Sequence, residues 1–140
     1  MRVLEYSNLD QRLVEGVKGT LTAMDVVSED AFGVGLRVIP SNSKVPKPGT
    51  PYAKGRRVLF VLRGSGTLSN GEYYERITAG KFVLLDENER PAYSTQDEEL
   101  AVLEIRMDAT GKVVPPTLVA SVPTTMDARP ARATTYDAVD

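Results

Sequence analysis

The stretch RRVLFVLRGSGTLSNGE, residues 56–72, decides the fold class. Its first seven residues are rich in apolar, β-branched and aromatic side chains, which is typical of a β-strand. Gly64-Ser65-Gly66 allows a sharp bend, and Asn70-Gly71 is a strong signal for a tight hairpin turn. The stretch therefore predicts a strand, a bend and a hairpin that joins Gly66–Ser69 to Glu72–Ile77.

Further short strands are predicted on both sides of this stretch. They are Thr20–Val27, Phe32–Ile39, Lys81–Leu85, Pro91–Thr95 and Leu100–Met107. Turn residues separate them at the spacing that is typical of all-β domains. The sequence therefore predicts an all-β protein, a closed barrel or a sandwich, whose single domain occupies residues 1–114.

Three other segments differ from this pattern. Apolar residues recur at spacings of three and four between Leu9 and Val17, and Asn8 can cap them, which predicts a short N-terminal helix. Pro40–Gly55 contains four prolines and predicts an irregular loop, either the lid or rim of a pocket or a well-packed surface connection. Residues 115–140, rich in Pro, Ala and Thr, predict an extended C-terminal tail.

The composition excludes several classes of function. The chain has 140 residues and a formal net charge of -2, which argues against a protein that binds nucleic acid or a membrane surface. Cys and His are both absent, so thiolate nucleophiles, imidazole bases and the commonest metal ligands are absent as well. The first ten residues include acidic side chains where a signal peptide would be apolar, so we expect a cytoplasmic protein.

Residues 57–93 resemble the two sequence motifs of the cupin superfamily. The segment RRVLFVLRGSGTLSNGE is similar to the end of the first motif, and ITAGKFVLLDENERPAY is similar to the second. Within the superfamily, the chain resembles ectoine synthase from Glu29 to about Gly111, through EDAFGVGLRVI, the proline-rich loop and LRGSG. The resemblance implies a cupin-type, jelly-roll-like β-barrel and, because small cupins commonly pair, a homodimer.

The positions that hold the metal in cupins carry other residues in this chain. The resemblance matches the two first-motif histidines to Thr50 and Tyr52 (or Pro51 and Ala53), the glutamate to Arg57, the second-motif histidine to Pro91, and the tyrosine ligand of ectoine synthase to Val83. A guanidinium repels a cation where a glutamate attracts it. We therefore expect a barrel that holds no catalytic metal and no other cofactor.

The register implied by the resemblance separates inward from outward side chains along each strand. With Arg57 inward, it places Ala101, Leu103 and Ile105 inward on the last strand, and Glu104 and Arg106 outward, unless a bulge inverts it locally. The side chains predicted to contact a substrate are Leu59, Val83, Leu103 and Ile105, together with Thr50 and Arg37. Arg37 shares its strand with Gly33 and Gly35, whose alternation predicts a close approach to the backbone, and it either faces the pocket with them or is a solvated edge residue.

Arg57, Tyr52 and Tyr93 are the predicted catalytic residues. A buried Arg needs an anion, which is either a substrate group or a structural glutamate. A phenol beside an Arg can have a lowered pKa and transfer protons, although tyrosines are also common wall residues. Glu104 is predicted to pair with Arg106 or with a neighbouring strand, or to act as a base if it is buried. The acidic run at Asp86–Arg90 is predicted to be a solvated turn.

Two functions follow from these residues. The first is a metal-independent enzyme that catalyses cyclisation, elimination (dehydration) or isomerisation of a small, polar, anionic biosynthetic intermediate. The alternative is a non-catalytic cupin that binds a small molecule, with a purely structural barrel as a third interpretation. An enzyme requires at least two ionisable groups that converge on one spot, whereas a binder requires one anchor in an apolar cavity.

Overall fold

The computed structural model describes residues 1–107, which form ten β-strands and one turn of 3-10 helix, Tyr6–Asn8. The strands are β1 (Gln11–Glu15), β2 (Thr20–Ser28), β3 (Phe32–Ile39), β4 (Lys44–Val45), β5 (Arg56–Arg63), β6 (Ser65–Ser69), β7 (Tyr74–Thr78), β8 (Phe82–Leu85), β9 (Ala92–Ser94) and β10 (Leu100–Met107). The predicted tail, residues 115–140, lies outside the described residues.

The strands form two antiparallel sheets that face each other. The larger sheet has the order β1-β2-β3-β10-β5-β8, and the smaller has the order β4-β9-β6-β7. Apolar side chains from both sheets fill the space between them, among them Leu59, Val61 and Val102 from the larger sheet and Leu68 and Ile77 from the smaller. The all-β prediction is therefore confirmed, and the architecture is that of a β-sandwich or barrel.

Gly64 is the point at which the chain passes from the larger sheet to the smaller. Its φ of 83° is a conformation that side chains other than glycine rarely adopt. A Cβ added there would lie 1.9 Å from the carbonyl oxygen of Glu99, so the two chain segments can approach each other only at a glycine. The bend predicted from Gly64-Ser65-Gly66 is therefore confirmed, as is the β6–β7 hairpin around Asn70-Gly71.

The helix predicted between Leu9 and Val17 is wrong. These residues contain β1, an edge strand that pairs with β2 from Gln11↔Met24 to Glu15↔Thr20. Leu13 is 72% exposed, so the apolar residues that suggested a helical face do not share a buried side. Pairing with β2 prevails over the weak helical pattern of a segment too short to form a stable helix by itself.

The strand register is confirmed on β5 and β8 and is wrong on β10. Arg57, Leu59 and Val61 are buried, whereas their neighbours on β5 are half-buried or exposed. A bulge between Ala101 and Val102 shifts the pairing of β10 with β5 by one residue. β10 itself alternates regularly, since it pairs with β3 without a shift from Leu100 to Met107. Val102 and Glu104 lie opposite the inward Val61 and Leu59 of β5, so the even-numbered residues of β10 face inward and the predicted register is offset by one residue.

The Pro40–Gly55 segment is less irregular than predicted at its start. It contains β4, which pairs with β9 and places Val45 in the core. From Pro46 to Gly55 it is a loop without strand or helix. Within residues 1–107, no helix has the length and apolar character that crossing a membrane requires.

Candidate functional site

A cavity of about 350 Å³ opens at the end of the sandwich beneath the 46–53 loop. Side chains of β1, β2, β3, β5 and β10 form one wall, and the residues around β9 form another. Leu21, Ala23 and Val14 contribute an apolar part of the lining. The cavity is large enough for a small metabolite.

Five of the nine predicted site residues meet in this cavity, namely Arg37, Thr50, Tyr52, Arg57 and Tyr93. The structure therefore brings together all three of the residues predicted to be catalytic. Thr50 lies on the rim, where its hydroxyl donates a hydrogen bond of 2.8 Å to the carbonyl oxygen of Lys47 and stabilises the loop. The loop is thus a pocket rim rather than only a surface connection.

The other four predicted residues do not line the cavity. Leu59 is fully buried in the core, and Val83 packs against that core from β8. Leu103 and Ile105 lie on the opposite face of β10, because Val102 and Glu104 are the residues that lie across from the inward Val61 and Leu59 of β5. The predicted inward orientation of Leu103 and Ile105 is therefore wrong, and Glu104, which the same register placed outward, lines the cavity instead.

Glu104 is held by two guanidinium groups. Arg57 donates from Nε to Oε2 of Glu104 over 3.2 Å, and Nη2 of Arg37 lies 3.5 Å from the same oxygen. Oε1 of Glu104 accepts no hydrogen bond within residues 1–107. Of the two pairings predicted for Glu104, the one with a neighbouring strand is found rather than the one with Arg106, because Glu104 lies between β3 and β5.

Arg37 extends this network to the surface. Its Nη1 donates to Oδ1 of Asp25 over 3.2 Å. Asp25 also forms an ion pair with Arg12, whose Nη2 lies 3.0 Å from Oδ2. A Cβ added at Gly35 would lie 2.7 Å from Nη1 of Arg37 and 2.8 Å from Oδ1 of Asp25. The close approach predicted from the glycine alternation is therefore confirmed, and the groups that approach the backbone are those of an ion pair.

Arg57 is only 5% exposed, and the protein satisfies much of its hydrogen-bonding capacity. Besides Glu104, it donates to the carbonyl oxygens of Gly55 and Ala53. Its guanidinium also lies 5.0 Å from the centre of the Tyr52 ring, a cation–π contact. Arg57 therefore joins the floor of the cavity to the end of the loop that covers it.

Tyr93 is buried, and its hydroxyl has no hydrogen-bond partner within residues 1–107. Burial raises the pKa of this phenol well above its usual value, and the negative charge of Glu104 raises it further. Arg37 and Arg57 lower the pKa, but less than burial and Glu104 raise it. The lowered pKa predicted for Tyr93 is therefore wrong, and the group remains a protonated donor at neutral pH.

Sequence reasoning missed Arg90, which was assigned to a solvated turn. Its guanidinium lies 4.5 Å from the centre of the Tyr52 ring, so it contacts the same aromatic side chain as Arg57. The only signal in the sequence was its position just before Pro91, in the segment that resembles the second cupin motif. Its charge faces the cavity because the turn folds back over the rim.

Positive charge dominates the described lining of the cavity. Its two acidic residues are Asp25 and Glu104, and its six basic residues are Arg12, Arg37, Lys47, Arg57, Arg90 and Arg106. A pocket with this excess of cations attracts an anionic ligand and repels a metal ion. Within residues 1–107, no group of three or more acidic side chains is arranged to hold a metal. The donor set, without His or Cys, does not fit the metal site of cupins.

Comparisons with known proteins identify the fold. No protein-family model matches the sequence, and no curated protein matches it. Among solved structures, a predicted oxalate decarboxylase from Thermotoga maritima matches with a TM-score of 0.63 at 18% identity, over 76% of this chain and 98% of that one. The polyketide cyclase RemF from Streptomyces resistomycificus matches with a TM-score of 0.63 at 14% identity, over 88% of this chain and 94% of that one.

A cupin superfamily protein from Desulfitobacterium hafniense matches with a TM-score of 0.55 at 13% identity, over 68% of this chain and 84% of that one. Two facing antiparallel sheets with a cavity at one end define the same class of β-sandwich or barrel. The chain therefore has the fold of the cupin superfamily, as the resemblance implied.

Proposed function

We propose that the protein is a cytoplasmic, metal-independent cupin enzyme that catalyses cyclisation, elimination (dehydration) or isomerisation of a small, anionic biosynthetic intermediate. One observation carries the proposal. A carboxylate with an unoccupied oxygen and a protonated phenol without a partner lie in one cationic cavity. All three reactions need a base to remove a proton and an acid to deliver one or to stabilise an oxyanion.

Glu104 is the base in this proposal. Both of its guanidinium contacts fall on Oε2, so the ion pairs fix the carboxylate while Oε1 stays open to a C–H or O–H group of the substrate. A base held by two guanidinium groups loses little freedom when it meets its proton, which favours a reactive geometry. Glu104 thus replaces the histidine that the chain lacks.

Tyr93 is the acid or oxyanion donor. A phenol with a raised pKa does not act as a base near neutral pH, but it donates a hydrogen bond to a carbonyl oxygen that gains negative charge. The buried site strengthens this hydrogen bond because little water competes for it. Arg57 and Arg37 add positive charge beside the developing anion, and Arg57 keeps N–H groups beyond the three that the protein uses.

Tyr52 contributes through its ring in this proposal. The ring contacts the guanidinium groups of both Arg57 and Arg90, so it fixes their positions at the mouth of the cavity. We therefore propose a positioning role for Tyr52 and the proton transfer for Tyr93. A Tyr52→Leu variant separates the two roles, because it removes the ring and leaves Tyr93 and Glu104 in place.

The similar structures support an enzyme of this general kind. One of them is a polyketide cyclase and another is a predicted oxalate decarboxylase, so related barrels carry out chemistry on small organic molecules. At 14% and 18% identity the likeness concerns the fold, and the substrates of those proteins are not transferred to this chain.

The alternative is a cupin that binds a small anion without turnover. The observation in its favour is that Arg57 already donates hydrogen bonds to Glu104, Gly55 and Ala53, as a side chain with a structural role would. A binder needs the cationic cavity but not the free oxygen of Glu104 or the unpartnered hydroxyl of Tyr93.

Proton exchange into small ketones tests the proposal without knowledge of the substrate. The protein is incubated in D₂O with a panel of oxo acids, and loss of the C–H signals next to the carbonyl is followed by ¹H NMR. We expect exchange with the wild type, a loss of about 100-fold or more in Glu104→Gln, and no loss in Glu75→Gln, which changes an exposed glutamate outside the described lining.

Two outcomes contradict the enzyme. Binding of oxo acids without exchange assigns the protein to the non-catalytic alternative, and equal exchange by wild type and Glu104→Gln removes Glu104 from the mechanism. Because Glu104→Gln also weakens two ion pairs, its fold is checked by thermal unfolding. Tyr93→Phe provides a second variant that leaves those ion pairs intact.

We also propose that two copies of the chain form a homodimer through the edge of the larger sheet. Within residues 1–107, β8 pairs on one side only, with β5, and exposes Phe82 and Leu84 at 68% and 58%. An edge strand can pair antiparallel with its own symmetry copy, and such a contact closes after two subunits. The interface would cover both apolar side chains.

A further inference from the structure

Arg90 differs from the other basic residues of the cavity because the protein leaves its charge unused. Its guanidinium makes no hydrogen bond or ion pair within residues 1–107. The remaining basic lining residues all have partners: Arg12 pairs with Asp25, Arg37 with Asp25 and Glu104, Lys47 with Glu15, Arg57 with Glu104, and Arg106 with backbone carbonyl oxygens. A guanidinium carries five N–H donors in a planar fork, so Arg90 has five donors without a partner in the described part of the chain.

The carboxylate nearest to Arg90 in the sequence is already engaged. Glu89 accepts a hydrogen bond of 2.6 Å from Nδ2 of Asn70 on one oxygen and one of 2.9 Å from the Asp86 backbone N–H on the other. These bonds close the turn before Arg90 and tie it to the β6–β7 hairpin. The turn therefore fixes the backbone at Arg90 while its own acidic side chain points to other partners.

Tyr52 holds the side chain of Arg90 over the cavity. The guanidinium carbon of Arg90 lies 4.5 Å from the ring centre, at the distance of a cation–π contact. Such a contact gives the N–H groups no oxygen acceptor, so within residues 1–107 they remain without a hydrogen-bond partner. The same ring contacts Arg57, so two positive charges lie against it, and of these two only Arg57 pairs with Glu104.

We propose that Arg90 and Tyr52 form a second binding site, which holds an oxyanion group of the substrate, a carboxylate or a phosphate, away from the reacting atoms. This inference rests on the proposed function and defines its substrate class further. The substrate carries its anion at the mouth of the cavity and presents a carbonyl or hydroxyl oxygen to Tyr93. An oxo acid with the two groups separated, or a phosphorylated ketone, has this chemistry.

The planar guanidinium matches both anions, because each offers two oxygens to two parallel N–H groups. The anion would also relieve the repulsion between Arg90 and Arg57. Arg90 is exposed, so solvent screens the interaction, and we expect it to weaken as the salt concentration rises.

Three probes test this site by NMR chemical-shift titration of the full chain. Levulinate carries a ketone and a carboxylate, dihydroxyacetone phosphate carries a ketone and a phosphate, and pentan-2-one carries the ketone alone. We expect Arg90→Gln to lower the affinity for the preferred anion by about tenfold and to leave the affinity for pentan-2-one unchanged. Arg76→Gln, which removes the same charge from an exposed position outside the described lining, should change none of the three affinities.

The outcomes separate this inference from the proposed function. An anion affinity that Arg90→Gln leaves unchanged overturns the second site, and so does a wild type to which neither anion binds. Loss of anion affinity in Arg90→Gln, without proton exchange in any oxo acid, supports the site and contradicts the enzyme. Comparison of the two anionic probes shows whether carboxylate or phosphate is preferred, and Arg90→Lys should retain part of the affinity because it keeps the charge.

Discussion

Arg57 on β5 and Glu104 on β10 form an ion pair of 3.2 Å across two neighbouring strands, and their side chains are only 5% and 14% exposed. A buried charge is tolerated in a protein when a partner of opposite sign compensates it. The pair therefore has two consequences, since it sets the geometry of the candidate base and makes each residue depend on the other for stability.

We expect Arg57→Met to lower the free energy of unfolding by about 3 kcal/mol, because it leaves the carboxylate of Glu104 with Arg37 as its one remaining guanidinium partner. Urea denaturation measures the change. Arg63→Gln is the control, since Arg63 pairs with Glu99 at the surface and should contribute less than about 1 kcal/mol.

A double-mutant cycle measures the coupling energy between Arg57 and Glu104. If the pair is coupled, Arg57→Met combined with Glu104→Gln should cost less than the sum of the two single changes. Strict additivity of the two substitutions would show that the buried pair contributes no coupling energy.

Tyr93→Phe should reduce catalysis and stabilise the protein at the same time. The substitution removes the proposed oxyanion donor, and we expect a loss of about 100-fold in the rate of proton exchange. It also removes a buried hydroxyl that has no partner within residues 1–107, which should raise the free energy of unfolding by about 1 kcal/mol. Stability gained without a loss of rate would assign Tyr93 to the wall of the cavity.

The raised pKa of Tyr93 predicts how stability depends on alkaline pH. In the unfolded chain this phenol ionises near pH 10, whereas in the folded protein burial and Glu104 keep it protonated. The folded state therefore binds one more proton above about pH 10, and stability falls as the pH rises, by up to about 1.4 kcal/mol per pH unit.

Urea midpoints of wild type and Tyr93→Phe, measured from neutral pH to above pH 10, isolate this effect. The two curves should differ by a constant amount below pH 10, and the wild type should fall more steeply above it. Parallel curves throughout the range would contradict a buried, protonated phenol.

Local sequence signals were sufficient to predict the strands and the sheet-crossing bend. Gly64 and Asn70-Gly71 specify turns through their own backbone preferences, so no knowledge of distant residues was needed. The segment at Leu9 was assigned wrongly because its conformation depends on pairing with β2, and a helical spacing of a few apolar residues does not reveal that partner.

The candidate site could be predicted only in part, for two physical reasons. Arg57, Tyr52 and Tyr93 were found because the resemblance fixed the register of their segments. Glu104 was placed on the wrong face because charged and apolar residues alternate on β10, and only the pairing with β3 and β5 shows that the charged set faces the cavity. Arg90 was missed because a charged residue after an acidic turn is usually solvated, and only the folded chain shows that it lies against Tyr52.

Removal of metal should leave the activity unchanged. The full sequence contains no His or Cys, and the described cavity residues place six basic side chains against two acidic ones. We expect elemental analysis of the purified protein to show far less than one metal ion per chain, and EDTA to leave proton exchange unaffected. A stoichiometric metal that EDTA removes together with the activity would contradict the metal-independent mechanism.

Phe82→Lys should convert the proposed homodimer into monomers. Phe82 lies on the edge strand β8, is 68% exposed, and contacts Phe60 with ring centres 4.5 Å apart and ring planes tilted by 43°. In the dimer a lysine at this position would bring two like charges together across the symmetry axis and remove two apolar contacts. Sedimentation velocity measures the mass, and Tyr74→Lys is the matched control because Tyr74 is an equally exposed aromatic residue on β7, in the smaller sheet. A wild type that sediments as a monomer, or a dimer that persists in Phe82→Lys and dissociates in Tyr74→Lys, would exclude the β8 interface.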